Sequence, residues 1–240
     1  MIAEPACRLG IVGGLGPLAT ARLYVEICRQ VHAKIGITPP ILIDSVRMPR
    51  AIEESFITAV PSLDSQRVLL DTLRAAVERL AAMRVSAICA ACNTVQPILI
   101  AEALRCGLRV IGMAEATVAA VRRRGHRSAL VLGSSSAQRL DVYADAARAF
   151  DVSIVHPSAA EQADISQAIL RLTHHEVKDL HREVIASVCE KYVSEVDCVI
   201  LGCTDLSQIL GGKLSTRPVF DSLTELGIAS AAFLAGQDLA

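Results

Sequence analysis

Residues 85–97 read "VSAICAACNTVQP". The apolar run Val85–Ala91 has the length of a strand and stops on the polar turn Cys92-Asn93-Thr94. Pro97 then stands where a helix would begin, in a first turn that needs no N–H from it. A strand, a polar turn and a helix are the repeating parts of a parallel α/β sheet. The stretch "ILGCTDL", residues 200–206, repeats the phrase: an apolar run that stops on Cys203-Thr204-Asp205.

Outward from residue 85, short apolar runs alternate with segments of helical period. "RLGIVGG" (8–14) reads as the first strand, followed by a helix from about Pro17 to Lys34. "PPILIDSV" (39–46) is the second strand, and an amphipathic helix is predicted from Ser62 to Met83. "LRVIGM" (108–113) is a further strand, with a helix from about Glu115. The pattern then restarts, for "SALVLGSSSAQRLDVY" (128–143) echoes "LGIVGGLGPLATARLY" (9–24). Tyr24 and Tyr143 lie 119 positions apart, and Cys92 and Cys203 lie 111 apart. Two similar separations for two different pairs suggest an internal duplication. The end, "PVFDSLTELGIASAAFLAG" (218–236), is one more strand and helix, with Ser222 and Glu225 spaced as a capping box. The expected architecture is two similar parallel-sheet α/β domains joined by short crossovers. Residues 1–114 plus 218–240 would form the first and residues 115–217 the second.

Composition excludes several roles. The chain has 240 residues, 52% of them hydrophobic, which is ample for a buried core. A formal net charge of −1, 3% aromatics and no Trp argue against nucleic acid or an anionic membrane as partner. Arg122-Arg123-Arg124 reads as a solvated helix end. The start shows no basic-then-apolar leader, and no apolar stretch is long and clean enough to span a bilayer. The eight cysteines are expected as thiols in a reducing cytoplasm.

Cys92 and Cys203 fall where parallel sheets gather ligands, beyond the carboxyl ends of strands. Each precedes a helical segment whose N–H groups favour a thiolate, so a lowered thiol pKa is expected. Asn93, Thr94 and Thr204 add donors, and Gly202 allows close approach of backbone to ligand. The plain alternative is that both are buried structural thiols, the reading given to Cys7, Cys28, Cys89, Cys106, Cys189 and Cys198. Two others stay open. Gly14-Leu15-Gly16-Pro17-Leu18-Ala19 fits a dinucleotide fingerprint with Asp44 as its acid, although Asp44 lies 30 residues after Gly14, late for that motif. Cys89, Cys92, Cys198 and Cys203 supply four sulfurs for zinc, but neighbouring strand positions point to opposite faces. A matched pair in two halves facing each other would put one acid/base group on each side of one carbon, as racemisation requires.

Three pieces in order, "GIVGGLGPLAT" (10–20), "CNT" (92–94) and "LGCTD" (201–205), resemble the aspartate/glutamate racemase family. The resemblance covers essentially the whole chain. It implies a cofactor-independent enzyme with two pseudo-symmetric α/β domains, an active site in the cleft between them, and Cys92 and Cys203 as the two bases. It also implies a homodimer, with the last helix packed on the first domain. Gly14, Leu15, Gly16, Pro17, Asn93, Thr94 and Thr204 would line the substrate site, with the second turn Ser134-Ser135-Ser136 beside them. Where the family usually has His after CNT-x, this chain has Gln96, and where it usually has Glu after GCT, it has Asp205. Arg47 and Arg50 are the candidate cations for a substrate side-chain carboxylate, with His174 and His175 next. The expected function is racemisation of aspartate or glutamate without PLP, other cofactor or metal. The alternatives are an isomerase or decarboxylase of a small dicarboxylic acid, a nucleotide-binding oxidoreductase, and a non-catalytic sensor of small acids.

Overall fold

A computed structural model describes residues 7–58, 61–176, 179–209 and 214–237. The first half runs β1 (Leu9–Gly13), α1 (Pro17–Ile35), β2 (Ile41–Ser45), α2 (Arg50–Thr58), α3 (Leu63–Ala82), β3 (Ala87–Ala90), α4 (Gln96–Arg105) and β4 (Arg109–Val110). The second runs α5 (Met113–Arg123), β5 (Ser128–Leu132), α6 (Ser135–Arg139), α7 (Ala144–Phe150), β6 (Ser153–Val155), α8 (Ala159–Thr173), α9 (Asp179–Lys191), β7 (Cys198–Leu201), a 3₁₀ turn (Thr204–Ile209), β8 (Val219–Asp221) and α10 (Ser222–Leu234).

The strands form two four-stranded parallel sheets, ordered β2-β1-β3-β4 and β6-β5-β7-β8. The two orders are the same, so the duplication read from the sequence is a duplication of topology. Alternate residues of each strand feed opposite faces. In β1, Leu9 and Ile11 pack under Leu23 and Ile27 of α1 and Leu226 of α10. Val12 faces the other way, with Ile88 of β3, onto Leu73 and Val77 of α3 and Leu99 of α4. Burying each such side chain is worth about 1.5–3 kcal/mol. The second sheet repeats the scheme: Leu130, Leu132, Val199 and Leu201 face α8 and α9, while Ala129, Val131 and Ile200 face α5 and Tyr143.

Local signals set the helix ends. Ser62 caps α3 by accepting from the Ser65 N–H, and Gly36 ends α1 in the left-handed conformation. Gly14 has φ +86, and a Cβ there would lie 2.1 Å from the Val46 carbonyl oxygen, so only glycine allows β1 to turn into α1 beside the end of β2.

Three expectations need correction, and one helix was not foreseen. β8 pairs with β7, so residues 219–221 belong to the second sheet, and only α10 crosses back to pack on α1. Asp221, not Ser222, caps α10; its carboxylate accepts from the Leu223 N–H and the hydroxyls of Thr224 and Ser207. The Ser222 hydroxyl instead accepts from the Asn93 amide, and Glu225 meets Arg124 at 3.3 Å. Arg124 is therefore not simply solvated, and its guanidinium also lies over the Phe220 ring. Finally, α2 occupies a stretch that the sequence reading passed over. It packs against α6 and α8 and buries Ile57 in the second half's core.

Candidate active site

β3 and β7 hold the same place in their sheets. Cys92 follows the end of β3 by two residues, and Cys203 follows the end of β7 by two. The two strand ends meet. The Thr204 hydroxyl donates to the Ala91 carbonyl at 3.2 Å, and the Thr94 and Ser134 hydroxyls share a 2.9 Å hydrogen bond. The Tyr143 hydroxyl donates to Asn93 Oδ1 at 2.8 Å. Between the ends lies a cavity of about 60 Å³, lined by both thiols, by Leu15, Asn93, Thr94, Ser134, Gly202, Thr204 and Asp205, and by one face of α2.

The thiol electrostatics differ from the expectation. Burial pushes the Cys92 thiol up to about 11; the N–H groups of Val95 and Thr94 draw it back, while Glu53 and Asp205 push it further. Burial, then the Asp205 carboxylate, raises Cys203 well above the ordinary thiol range, against the N–H groups of Asp205 and Leu206. The backbone donors foreseen from the sequence are present and act in the foreseen direction. Desolvation outweighs them, because the apolar cavity wall crowds the half-buried pair.

The expected substrate-binding residues separate into two groups. Leu15, Asn93, Thr94, Ser134 and Thr204 line the cavity. Gly14, Gly16, Pro17, Ser135 and Ser136 do not. The Gly14 N–H is taken by the Thr20 hydroxyl, Pro17 is exposed in the first turn of α1, and Ser135 bonds to Ser166. Ser136 is buried and accepts from Arg139. Arg47 is exposed and does not line the cavity. Arg50, with a side chain 64% exposed, bonds to Glu54 at 2.7 Å, and its Nε lies 3.1 Å from His174 Nε2. His174 also meets Glu54, at 2.7 Å. Asp205 accepts from Thr173 and Gln208, and the charge of His175 helps draw it down, although burial holds it above the ordinary range.

Gln96, in place of the family's usual His, is buried and fully employed. Its amide nitrogen donates to the carbonyls of Ala90 and Cys92, and its oxygen accepts from the Met113 N–H. It holds the Cys92 turn from behind. Asp44, the proposed ribose acid, is paired with Arg79 at 2.7 Å. Cys89 and Cys198 are buried in the sheets' cores, Cys89 beside the Ser230 hydroxyl, and neither reaches the cavity.

Met48, Ile52, Glu53, Phe56, Ile57 and Leu69, none of them expected at the site, form much of the cavity wall. A signal was present: Ile52 and Phe56 are four apart, and so are Arg50 and Glu54, as on one helix.

The profile of the Asp/Glu/Hydantoin racemase family matches residues 12–227. Among solved structures, the chain is similar to a candidate Asp/Glu racemase from Yersinia pestis, with 20% identity, TM-score 0.82, and 95% and 99% of the two chains covered. An aspartate racemase homologue from Pyrococcus horikoshii matches with 21% identity, TM-score 0.73 and coverage of 96% and 99%. Glutamate racemase from Francisella tularensis, solved with D-glutamate, matches with 16% identity, TM-score 0.65 and coverage of 96% and 81%.

Proposed function

The chain belongs to the Asp/Glu/Hydantoin racemase family, and from that premise we propose that it racemises an amino acid at Cα with Cys92 and Cys203 as paired acid and base. The observation that carries this reading is that the two thiols, at equivalent positions of two duplicated sheets, line one cavity. One thiolate removes the α-proton. The electron pair left on carbon spreads into the α-carboxylate, for which the Thr94 and Ser134 hydroxyls are neutral donors. The opposite thiol delivers its proton to the other face and becomes the thiolate, ready for the reverse reaction. The reading needs no PLP, other cofactor or metal. Aspartate and glutamate, named for the structural relatives, are the first substrates to assay. The alternative as a nucleotide-binding oxidoreductase has less support, since Asp44 is already paired with Arg79. The reading includes a cytoplasmic location, which the eight free thiols fit, and a homodimer. Light scattering at twice 25.5 kDa would bear out the dimer.

The test is a pair of variants. Cys92→Ser and Cys203→Ser should each lose racemisation by about a thousandfold or more, because a hydroxyl ionises far less readily than a thiol. In deuterium oxide each should still exchange the α-hydrogen of one enantiomer without inverting it, and the two variants should act on opposite enantiomers. A variant that racemises at the wild-type rate would overturn the two-thiol mechanism.

A further inference from the structure

Glu53 and Glu54 are adjacent on α2 and meet opposite fates. Glu54 turns toward Arg50 and His174 and is paired with both. Glu53 turns into the cavity, beside Cys92, Cys203 and Asp205. Among the described residues no cationic side chain pairs with it; burial, then the Asp205 carboxylate, holds its carboxyl above the ordinary range, against the backbone N–H of Gly16. Around it the cavity wall is hydrocarbon, from Ile52, Phe56 and Ile57 of its own helix and from Met48 and Leu69. A carboxylate in such surroundings is costly unless a cation or several donors meet it. Asp205, the second carboxylate of the wall, already accepts from Gln208 and lies within reach of the Thr173 hydroxyl and the Cys203 thiol. Glu53 is thus the acidic group left to a ligand.

We propose that Glu53 receives the α-ammonium of the substrate, and that the cavity takes a monocarboxylic amino acid in preference to the dicarboxylic aspartate and glutamate. The proposal rests on the racemase reading and names its substrate class. A zwitterion with one carboxylate suits the site: ammonium on Glu53, carboxylate toward the Thr94 and Ser134 hydroxyls, and side chain against the apolar wall. Aspartate or glutamate would bring a second carboxylate into a narrow space whose wall already holds two. The same contact assists the chemistry. The charge of Glu53 is one cause of the raised Cys92 thiol. An ammonium placed on Glu53 offsets that charge, so binding itself eases formation of the thiolate. His174 and His175 act on these carboxylates from outside the lining, where His174 is held by Glu54.

The test begins with the wild-type chain. Racemisation of both enantiomers of aspartate, glutamate, alanine, serine, homoserine, methionine, glutamine and lysine is followed by chiral chromatography. The best monocarboxylic substrate should exceed aspartate and glutamate in kcat/KM by at least about tenfold. Glu53→Gln should raise KM for that substrate by about ten- to a hundredfold, the worth of a charge-assisted contact. It should also narrow the preference over aspartate by about tenfold, and Glu53→Asp should recover part of both effects. Aspartate or glutamate as the best wild-type substrate would overturn the proposal while leaving the racemase reading intact. So would a Glu53→Gln variant with unchanged KM and unchanged preference. Racemisation of none of these amino acids would remove both.

Discussion

At the residue scale, the Cys92 thiol is held between opposing influences. Burial and two neighbouring carboxylates raise it, and the N–H groups of Val95 and Thr94 lower it. Glu53→Gln removes one negative charge, so one raising cause disappears and the thiol pKa falls. Burial remains, so the value stays above that of an exposed thiol. In a Cys203→Ser background, alkylation of Cys92 by iodoacetamide should rise with pH toward an inflection near 11. Adding Glu53→Gln should move that inflection to lower pH. An inflection that stays in place would mean that Glu53 does not face Cys92. Gln96 shows how far a single residue can be read. Its departure from the family pattern was visible, but its work as a clamp on three backbone groups was not. Those partners come from β3, the Cys92 turn and the start of α5.

At the scale of elements, most helix limits were legible because caps and periodicity are local. Ser62, Pro17 and Gly36 mark ends that the chain's own neighbours determine. α8 carries the clearest such device. Ser158 accepts from the Glu161 N–H, and the Glu161 carboxylate accepts from the Ser158 N–H. Ser158→Ala should cost about 1 kcal/mol, read by chemical denaturation. Lys191, then Ser158 and Tyr192, hold the Glu161 carboxyl down at about 2, below its ordinary value. A depressed carboxylate contributes stability above its unfolded pKa, about 4.3, and that contribution is lost as pH falls toward 2. Glu161→Gln should therefore lower Tm at pH 7 and leave it close to wild type at pH 2. An equal deficit at both pH values would show that the charge is not the cause. α2 was harder to read. Its nine residues give one short apolar stripe, and its two carboxylates look alike until a partner for one of them is known.

At the scale of the whole molecule, the two sheets bring Cys92 and Cys203 together, and the links at their strand ends hold the halves in register. A cavity of about 60 Å³ has room for only a few waters, so entry of an amino acid is expected to require the halves to part. The link to break lies on α2, where Glu54 joins Arg50 and His174 at the end of α8. Glu54→Gln should weaken it. Because the pair is partly exposed, the effect is small, and iodoacetamide should reach the cavity thiols no more than about fivefold faster. In 1 M salt the wild-type rate should rise toward that of the variant. Equal rates at low salt would mean that the cleft opens without breaking this link.

By itself the sequence determined the alternation of strands and helices, the duplication, and the pair of cysteines beyond two equivalent strands. Each of these is written in neighbouring residues or in the spacing of a repeat. Tertiary structure alone decided that β8 joins the second sheet, that Glu53 faces the thiols while Glu54 faces Arg50, and that burial raises the thiols against their backbone donors. Those outcomes depend on which surfaces, far apart in the chain, exclude water from one another, and no local pattern of residues carries that information.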